Sequence, residues 1–250
     1  MDKPIQALVP LAGGSPFFGE EAYPFPKALI EVGGKPMIQA VVENLLEIEG
    51  LQRFCFVVRN EDCTRFHLDN ALRLLTDGRC DVVQLPAETK GAACSCLMAV
   101  DLIDHDRHLI IANGDQIVEE ELNRGARHLI SGGFDAGVIT FGSVHPKWSY
   151  VRLDESGNVC ETAEKNPISK HAIAGFYYFR RGSDFVRAAC KSIEKEMLVN
   201  DLYYIAPTLN ELILENLKVG IYPLRDSEHY HSFYSPQKIQ DYETRFRGKR

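Results

Sequence analysis

The sequence predicts an α/β fold of three layers, in which a mostly parallel mixed sheet carries helices on both faces. Short, continuous apolar runs alternate along the chain with segments whose apolar residues recur at helical spacing. Such runs are typical of strands buried on both faces, and their alternation with helices is typical of a parallel sheet. With 250 residues, the chain is long enough to form a single domain over residues 1–250.

The first part of the chain supplies the parallel strands. An apolar run from Ala7 to Leu11 opens it, and the apolar residues from Met37 to Leu51 then fall mainly at helical spacing. The same alternation continues to the run that begins at His108. We predict strands over residues 7–11, 54–58, 80–85 and 108–112, and helices over residues 37–51, 64–75 and from residue 89.

The second part is predicted to be mixed. Residues 148–159 alternate between apolar and polar and turn at Glu155-Ser156-Gly157-Asn158, which indicates a hairpin. Apolar runs before and after this hairpin indicate further strands. We predict strands over residues 134–141, 172–179 and 219–224, and helices over residues 183–197 and 209–217.

Composition and charge exclude several classes of protein. The net charge of −7 argues against a nucleic-acid partner, because such binding needs a basic surface. No apolar run is long enough to span a bilayer and no signal peptide is evident, so we expect a cytoplasmic protein without a membrane partner. The seven cysteines are scattered, and we interpret them as reduced thiols, most of which fill the core. The oligomeric state is open, and a homo-oligomer is compatible with the sequence.

Two predicted strands end in residues suited to phosphate chemistry. The first runs into Ala12-Gly13-Gly14-Ser15, whose backbone N–H groups could face an anion, although Gly-Gly after a strand is also a common turn. Lys27 would add a point charge beside this glycine-rich loop. The strand at 108–112 ends in Asn113-Gly114-Asp115, so one carboxylate would lie at the same edge of the sheet, where a divalent ion could bridge it to phosphate oxygens. Alternatively, Asp115 caps a helix that starts near Glu119.

The stretch from residue 8 to 38 resembles the signature of the sugar-phosphate nucleotidyltransferase superfamily. In that family a glycine-rich loop is followed by Pro-Lys-Pro-Leu and then by Gly-Lys-Pro-Met-Ile, which correspond here to residues 26–29 and 34–38. The chain is most similar to the short bacterial members associated with capsule and surface-polysaccharide synthesis. The resemblance implies a Rossmann-like, GT-A-like fold, with a nucleotide-binding half over residues 1–118 and an acceptor-binding half over residues 119–250.

The resemblance also implies an activity and a nucleotide site. The enzyme would couple a nucleoside triphosphate to a sugar 1-phosphate or a similar small phosphomonoester, giving an NDP- or CMP-activated product and pyrophosphate. Lys27 and Asp115 would be catalytic, and Asp115 would bind Mg²⁺. The family places a polar group, usually glutamine, shortly before the glycine at position 91, where Glu88 or Thr89 would serve. The residues expected to bind the nucleotide are Leu11, Ala12, Gly13, Gly14, Ser15, Lys27, Glu88, Gly91 and Ala92.

The acceptor site is implied in the same way. Lys165 would meet the phosphate of the acceptor, and Gly175 would leave room for it. An exposed charge pair at 164–165 and a helix cap at 200–201 are the alternatives. The residues expected to bind the acceptor are Glu164, Lys165, Gly175, Asn200, Asp201 and Tyr203. Trp148 would either line this site or pack in the core.

Two departures from the family pattern bear on activity. Phe17 stands where the loop usually has an arginine, for which Lys90 or Arg59 could compensate, and Ser232 stands where many relatives have a second metal-binding Asp. These departures keep open the alternative of a nucleotide-binding protein without catalysis. The Asn113-Gly114-Asp115 segment also fits a glycosyltransferase of the same layered fold that uses a nucleotide sugar, with Asp115 as its metal anchor. We interpret His229 and His231 as residues of the surface.

Overall fold

The computed structural model describes residues 3–14, 16–19 and 23–247. The strands are β1 Ile5–Pro10, β2 Glu31–Val32, β3 Lys35–Pro36, β4 Leu51–Arg59, β5 Cys80–Leu85, β6 His108–Ala112, β7 Gln116–Val118, β8 Ala136–Gly142, β9 Ser149–Leu153, β10 Val159–Glu164, β11 His171–Phe179, β12 Val219–Pro223 and β13 Tyr230–Ser232. The helices are α1 Met37–Leu46, α2 Asn60–Phe66, α3 Leu68–Leu75, α4 Ala92–Leu97, α5 Val100–Ile103, α6 Leu122–Ser131, α7 Gly182–Glu194, α8 Thr208–Leu214 and α9 Pro236–Arg247.

One mixed sheet forms the centre of the described chain. Strands β5, β4, β1 and β6 lie side by side and run parallel. Strand β11 runs antiparallel between β6 and β8, and β12 pairs in parallel with β8. The β9–β10 hairpin joins the beginning of β11. This topology confirms the predicted mostly parallel mixed sheet of an α/β fold.

The alternation of side chains along the strands divides the core between the two faces of the sheet. In β4, Phe54 and Phe56 enter one buried cluster, while Cys55 and Val57 enter the other. The first cluster includes residues of α1, α3, α6 and α9, and the second includes residues of α4, α7 and α8. Helices therefore cover both faces, which explains why the central strands read as continuous apolar runs.

The structure corrects several predicted boundaries. The helix predicted over residues 64–75 is two helices, α2 and α3, separated at His67, whose φ of 54° is left-handed. Helix α1 ends at Leu46, and β4 begins at Leu51. The helix expected near Glu119 begins at Leu122, because residues 116–118 form β7 and pair with β13. That pairing joins distant parts of the chain, so no local periodicity indicates it.

Ion pairs connect α7 to the end of α8. Arg187 bonds the buried Asp184 within α7 and also Glu215, which follows α8. Lys191 bonds Glu215 as well, at 2.7 Å. The hydrogen bonds from Arg187 and then Lys191 lower the pKa of Glu215 to about 2, so its charge stabilises this contact down to acidic pH.

Helix α9 continues to Arg247, and residues 248–250 lie outside the described residues. Arg245 in this helix pairs with Glu228 at 2.5 Å. The seven cysteines are free thiols in the structure, and four of them are buried. Within the described ranges, none of the helices combines the length and apolar character needed to cross a membrane.

Candidate active site

A cleft of about 510 Å³ lies at the carboxyl ends of the parallel strands. This edge of an open α/β sheet is where ligands usually bind. The cleft is lined by every described residue that the sequence predicted to be catalytic or to bind the nucleotide: Leu11, Ala12, Gly13, Gly14, Lys27, Glu88, Gly91, Ala92 and Asp115. Ser15 lies outside the described residues.

Lys27 and Asp115 meet inside this cleft. Lys27 begins a short 3₁₀ helix after Pro26, and Asp115 follows β6. The Lys27 ammonium donates a hydrogen bond to the Asp115 carboxylate, and each side chain retains about a fifth of its exposure. The same nitrogen lies 5.7 Å from the centre of the Phe18 ring. Both groups of this pair therefore remain accessible from the cleft.

Gly114 packs closely against the end of β1 beside this pair. A Cβ on Gly114 would lie 2.1 Å from Leu11 Cδ2, so a larger residue at this position would displace the end of the Leu11 side chain. Gly13 has nothing within 4 Å of the corresponding position. The glycine-rich loop is therefore open toward the cleft, while Gly114 packs against the Leu11 side chain.

Small residues at the start of α4 pack against a neighbouring segment and also form part of the wall of the cleft. Gly91 has a φ of 107°, and a Cβ there would lie 2.4 Å from the carbonyl oxygen of Tyr203. The Tyr203 oxygen accepts a hydrogen bond from the N–H of Ala93, and the Tyr203 N–H donates to the carbonyl of Lys90. Gly91 and Ala92 both line the cleft. This segment therefore packs tightly on Tyr203 and also lines the cleft.

The predicted acceptor pair lies at the rim rather than in the cleft. Lys165 donates a hydrogen bond of 2.6 Å to the hydroxyl of Tyr204, which does line the cleft. Glu164 accepts a hydrogen bond from the hydroxyl of Ser149. Burial raises the pKa of Glu164, although Ser149 and Lys165 act in the opposite direction. Lys165 and Glu164 therefore each form a hydrogen bond with another side chain, which differs from the alternative of an exposed charge pair.

Asn200 and Asp201 form the tip of a two-residue hairpin. Both have positive φ, 50° and 60°, and Val199 and Leu202 exchange two backbone hydrogen bonds across the turn. Positive φ at both central residues is the geometry of a type I′ turn, in which Asn and Asp are favoured. The alternative of a helix cap does not apply, because α8 begins only at Thr208.

The residues after this turn place their side chains differently from the prediction. Leu202 and Tyr204 line the cleft. The side chain of Tyr203, the residue that we expected to bind the acceptor, is buried, with 8% exposure. The alternation of side chains along the backbone after the turn explains this exchange, and no sequence pattern indicates which of the neighbouring residues faces the cleft.

The space beside Gly175 is filled by the protein itself. Gly175 has a φ of 63°, and a Cβ there would lie 1.8 Å from Gln116 Oε1 and 2.7 Å from Asn113 Nδ2. Its carbonyl accepts a hydrogen bond from the N–H of Asn113. The glycine therefore admits two side chains of the neighbouring segment, where we expected it to leave room for the acceptor.

Phe17 packs against an aromatic cluster that the sequence did not reveal. Its ring meets Tyr234 edge to face at 5.8 Å and is 60% exposed. The Lys147 ammonium lies 3.7 Å from the centre of the Tyr234 ring and 4.3 Å from that of Trp148. Trp148 also meets Tyr230, at 5.6 Å. The cluster joins the segment after the glycine-rich loop to the second part of the chain.

The two cations proposed to replace the loop arginine do not line the cleft. Arg59 makes two hydrogen bonds of 3.0 Å to Asp62, which is buried. Lys90 is exposed. Ser232 pairs with Gln116 in the β7–β13 ladder, next to Asp115, so a hydroxyl stands at the position of the expected second carboxylate.

His229 and His231 are not residues of the open surface, and this corrects the prediction. The His231 side chain is only 10% exposed, and its Nε2 lies 3.1 Å from the carboxylate of Glu119. His229 Nδ1 lies 3.3 Å from the carboxylate of Glu121, which is buried. The two histidines therefore attach β13 to the segment between β7 and α6.

Most of the chain matches a known protein family. Residues 22–204 match the family model described as Nucleotidyl transferase, which covers well over half of the chain. The chain belongs to the nucleotidyl transferase family. The match spans the Lys27–Asp115 pair and the Lys165 segment, and it confirms the resemblance on which the prediction of activity depends.

Solved structures show the same fold over the whole length of this nucleotidyl transferase. A nucleoside-diphosphate-sugar pyrophosphorylase from Vibrio cholerae has 24% identity and a TM-score of 0.81, over 95% of this chain and 99% of that one. A UDP-glucose pyrophosphorylase complexed with UDP-glucose has 18% identity and a TM-score of 0.79, over 100% of both chains. The UDP-glucose pyrophosphorylase from Acinetobacter baumannii has 15% identity and a TM-score of 0.73, over 98% and 93%. A search of curated proteins found no match.

Proposed function

We propose that this protein transfers a nucleotidyl group from a nucleoside triphosphate to a sugar 1-phosphate or a similar small phosphomonoester, for surface polysaccharide synthesis. The observation that carries the proposal is the convergence of Gly13, Gly14, Lys27 and Asp115 on one cleft of about 510 Å³. The family assignment supports the reaction type, and the nucleotide-sugar names of the similar structures support the acceptor class.

The reaction joins two anions, so alignment and charge screening are its main requirements. A phosphate oxygen of the acceptor attacks the α-phosphorus of the triphosphate. The new P–O bond forms as the bond from the α-phosphorus to the bridging oxygen breaks, and the electron pair leaves with pyrophosphate. No general base is needed, because a phosphomonoester is largely ionised near neutral pH, with a second pKa of about 6.

Each part of the site has a role in this reaction. The Lys27 ammonium would offset the charge that develops on the transferring phosphoryl group. The N–H groups of Gly13 and Gly14 would donate to the triphosphate, and Lys165 would turn from Tyr204 to the acceptor phosphate. All three groups bind or orient phosphate oxygens, which is the catalysis that phosphoryl transfer needs from a protein.

The donor set fits Mg²⁺ that binds together with the substrate. The described residues contain no group of three or more His, Cys, Asp or Glu side chains that could hold a metal ion. Mg²⁺ is usually held by one or two carboxylates plus substrate phosphates, and Asp115 supplies one such carboxylate in the cleft. When bound, the ion would neutralise phosphate charge and orient the triphosphate.

One further candidate function has specific support. Phe17 packs on Tyr234 where the family has an arginine, and Ser232 replaces a carboxylate. Both departures favour a protein that binds nucleotide without catalysis.

The decisive experiment measures pyrophosphate. The purified protein is incubated with Mg²⁺ and each common nucleoside triphosphate, in combination with a panel of sugar 1-phosphates and other phosphorylated acceptors. We expect pyrophosphate in equal amount to an activated product for at least one pair. Nucleotide binding without pyrophosphate would favour the non-catalytic protein. Release of a nucleoside diphosphate from a nucleotide sugar would instead show a glycosyltransferase.

A further inference from the structure

The cleft carries more negative than positive side chains. Among the described residues that line it, Asp62, Glu88 and Asp115 are acidic, and Lys27 is the basic one. A nucleoside triphosphate adds a terminal phosphate with a charge of about −1.5 to −2 at pH 7 and two further ionised phosphates. The breaking bond places still more charge on the leaving pyrophosphate, so the proposed reaction needs a further cation near the glycine-rich loop.

Lys147 is a cation without a carboxylate partner in the part of the chain that the structure describes. It lies between β8 and β9. Its ammonium lies 3.7 Å from the centre of the Tyr234 ring and 4.3 Å from that of Trp148, and it forms no salt bridge within the described ranges. By contrast, Arg59 is bonded to the buried Asp62. The charge of Lys147 is therefore available to an anionic ligand.

The Tyr234 ring places the ammonium of Lys147 beside the glycine-rich loop. Tyr234 meets Phe17, which follows this loop in the chain, edge to face at 5.8 Å. The N–H of Phe233, the residue before Tyr234, donates to the carbonyl of Asp115 at 2.8 Å. Tyr234 is thus next to the end of the glycine-rich loop and to the segment that carries the Asp115 carboxylate.

The side chain of Lys165 points toward a different wall. The N–H of Lys165 donates to the carbonyl of Trp148 at 3.0 Å, so the backbones of Lys147 and Lys165 are close to each other. The Lys165 ammonium bonds the hydroxyl of Tyr204, whereas the Lys147 ammonium lies on Tyr234. The role proposed for Lys165 at the acceptor phosphate therefore leaves Lys147 for the phosphates at the loop.

We infer that Lys147 binds the β- and γ-phosphates of the triphosphate, which leave as pyrophosphate, and so supplies the cation that is missing at Phe17. This inference rests on the proposed function, because that function places a triphosphate at the glycine-rich loop. A cation–π contact of a partly exposed lysine is weaker than a charge-assisted hydrogen bond to phosphate, so the ammonium can exchange the rings for phosphate oxygens. The two rings also restrict the side chain before the ligand binds, which lowers the entropic cost of binding.

The test compares ligands that differ in their terminal phosphates. Binding of pyrophosphate, of the common nucleoside triphosphates and of the matching monophosphates is measured by calorimetry with Mg²⁺, and pyrophosphate release is measured in parallel. The variants are Lys147→Gln, which removes the charge, and Lys147→Arg, which keeps it. Lys218→Gln is the matched control, because the Lys218 ammonium lies 4.8 Å from the centre of the Phe134 ring, at the amino end of β12 rather than in the cleft.

We expect Lys147→Gln to weaken the binding of pyrophosphate and of the preferred triphosphate by about tenfold or more, as for the loss of a charge-assisted hydrogen bond. Binding of the monophosphate should stay within about twofold of wild type, because it lacks the terminal phosphates that the ammonium contacts. Lys147→Arg should keep triphosphate binding within about threefold of wild type, since the charge remains. Lys218→Gln should leave the affinity for every ligand unchanged.

Four results would overturn the inference. They are a wild type that binds neither triphosphate nor pyrophosphate, a Lys147→Gln variant that binds both within about twofold of wild type, an equal loss for monophosphate and triphosphate, as a merely structural role would give, and a loss confined to the KM of the acceptor. A selective loss of triphosphate and pyrophosphate binding, in a protein that releases no pyrophosphate with any acceptor, would support the role of Lys147 and contradict the proposed function instead.

Discussion

Replacement of Lys27 by alanine should lower turnover at least a hundredfold. The ammonium lies in the cleft beside Asp115, with 22% of the side chain exposed. Two unit charges 4 Å apart interact by about 4 kcal/mol at an effective dielectric constant of about 20. Water at the exposed part of the side chain screens some of this, so about 3 kcal/mol of transition-state stabilisation is lost, which is more than a hundredfold in rate.

The assay is the initial rate of pyrophosphate release at saturating triphosphate and acceptor. A saturating assay reports kcat, so the loss should appear there rather than only in KM. Lys35→Ala is the matched control, because Lys35 belongs to the same segment but pairs with Glu43 where both side chains are about 40% exposed. Urea unfolding of both variants verifies that they fold. Turnover of Lys27→Ala within about threefold of wild type, less than 1 kcal/mol, would refute the role assigned to this lysine.

Three further predictions follow from charge and packing. Asp115→Asn should lower turnover by about a hundredfold and weaken the response to added Mg²⁺; an unchanged Mg²⁺ titration would show that this carboxylate is not a ligand. Gly91→Ala should lower the free energy of unfolding by about 1–3 kcal/mol, since its Cβ would meet a backbone oxygen, whereas Gly13→Ala should change it by less than about 0.5 kcal/mol. Equal urea midpoints would contradict this contrast. Arg187 holds the pKa of Glu215 at about 2, below its ordinary 4.5, so this stabilisation is complete above pH 4.5 and is lost as the pH falls toward 2. Glu215→Gln should therefore show a weaker loss of stability than wild type between about pH 5 and pH 2.5, and parallel curves would contradict the assignment.

The sequence determined the fold class and the convergence of the residues predicted to bind the nucleotide. Continuous apolar runs between helical segments were enough to predict the parallel sheet. A strand that is buried on both faces does not alternate between apolar and polar residues, so it appears in the sequence as such a run. Gly13 follows one such strand and Asp115 follows another. Parallel strands end at one edge of the sheet, so these residues could be placed together without coordinates.

The tertiary structure decided which side chains lie around the residues that we expected to bind the acceptor. Only the coordinates show that Gln116 occupies the space beside Gly175 and that Phe17 packs on Tyr234. These contacts join segments far apart in the chain, and β7 and β13 pair across more than a hundred residues. Helical and strand periods reflect only which side of an element is buried, so they carry no information about which distant side chain lies opposite.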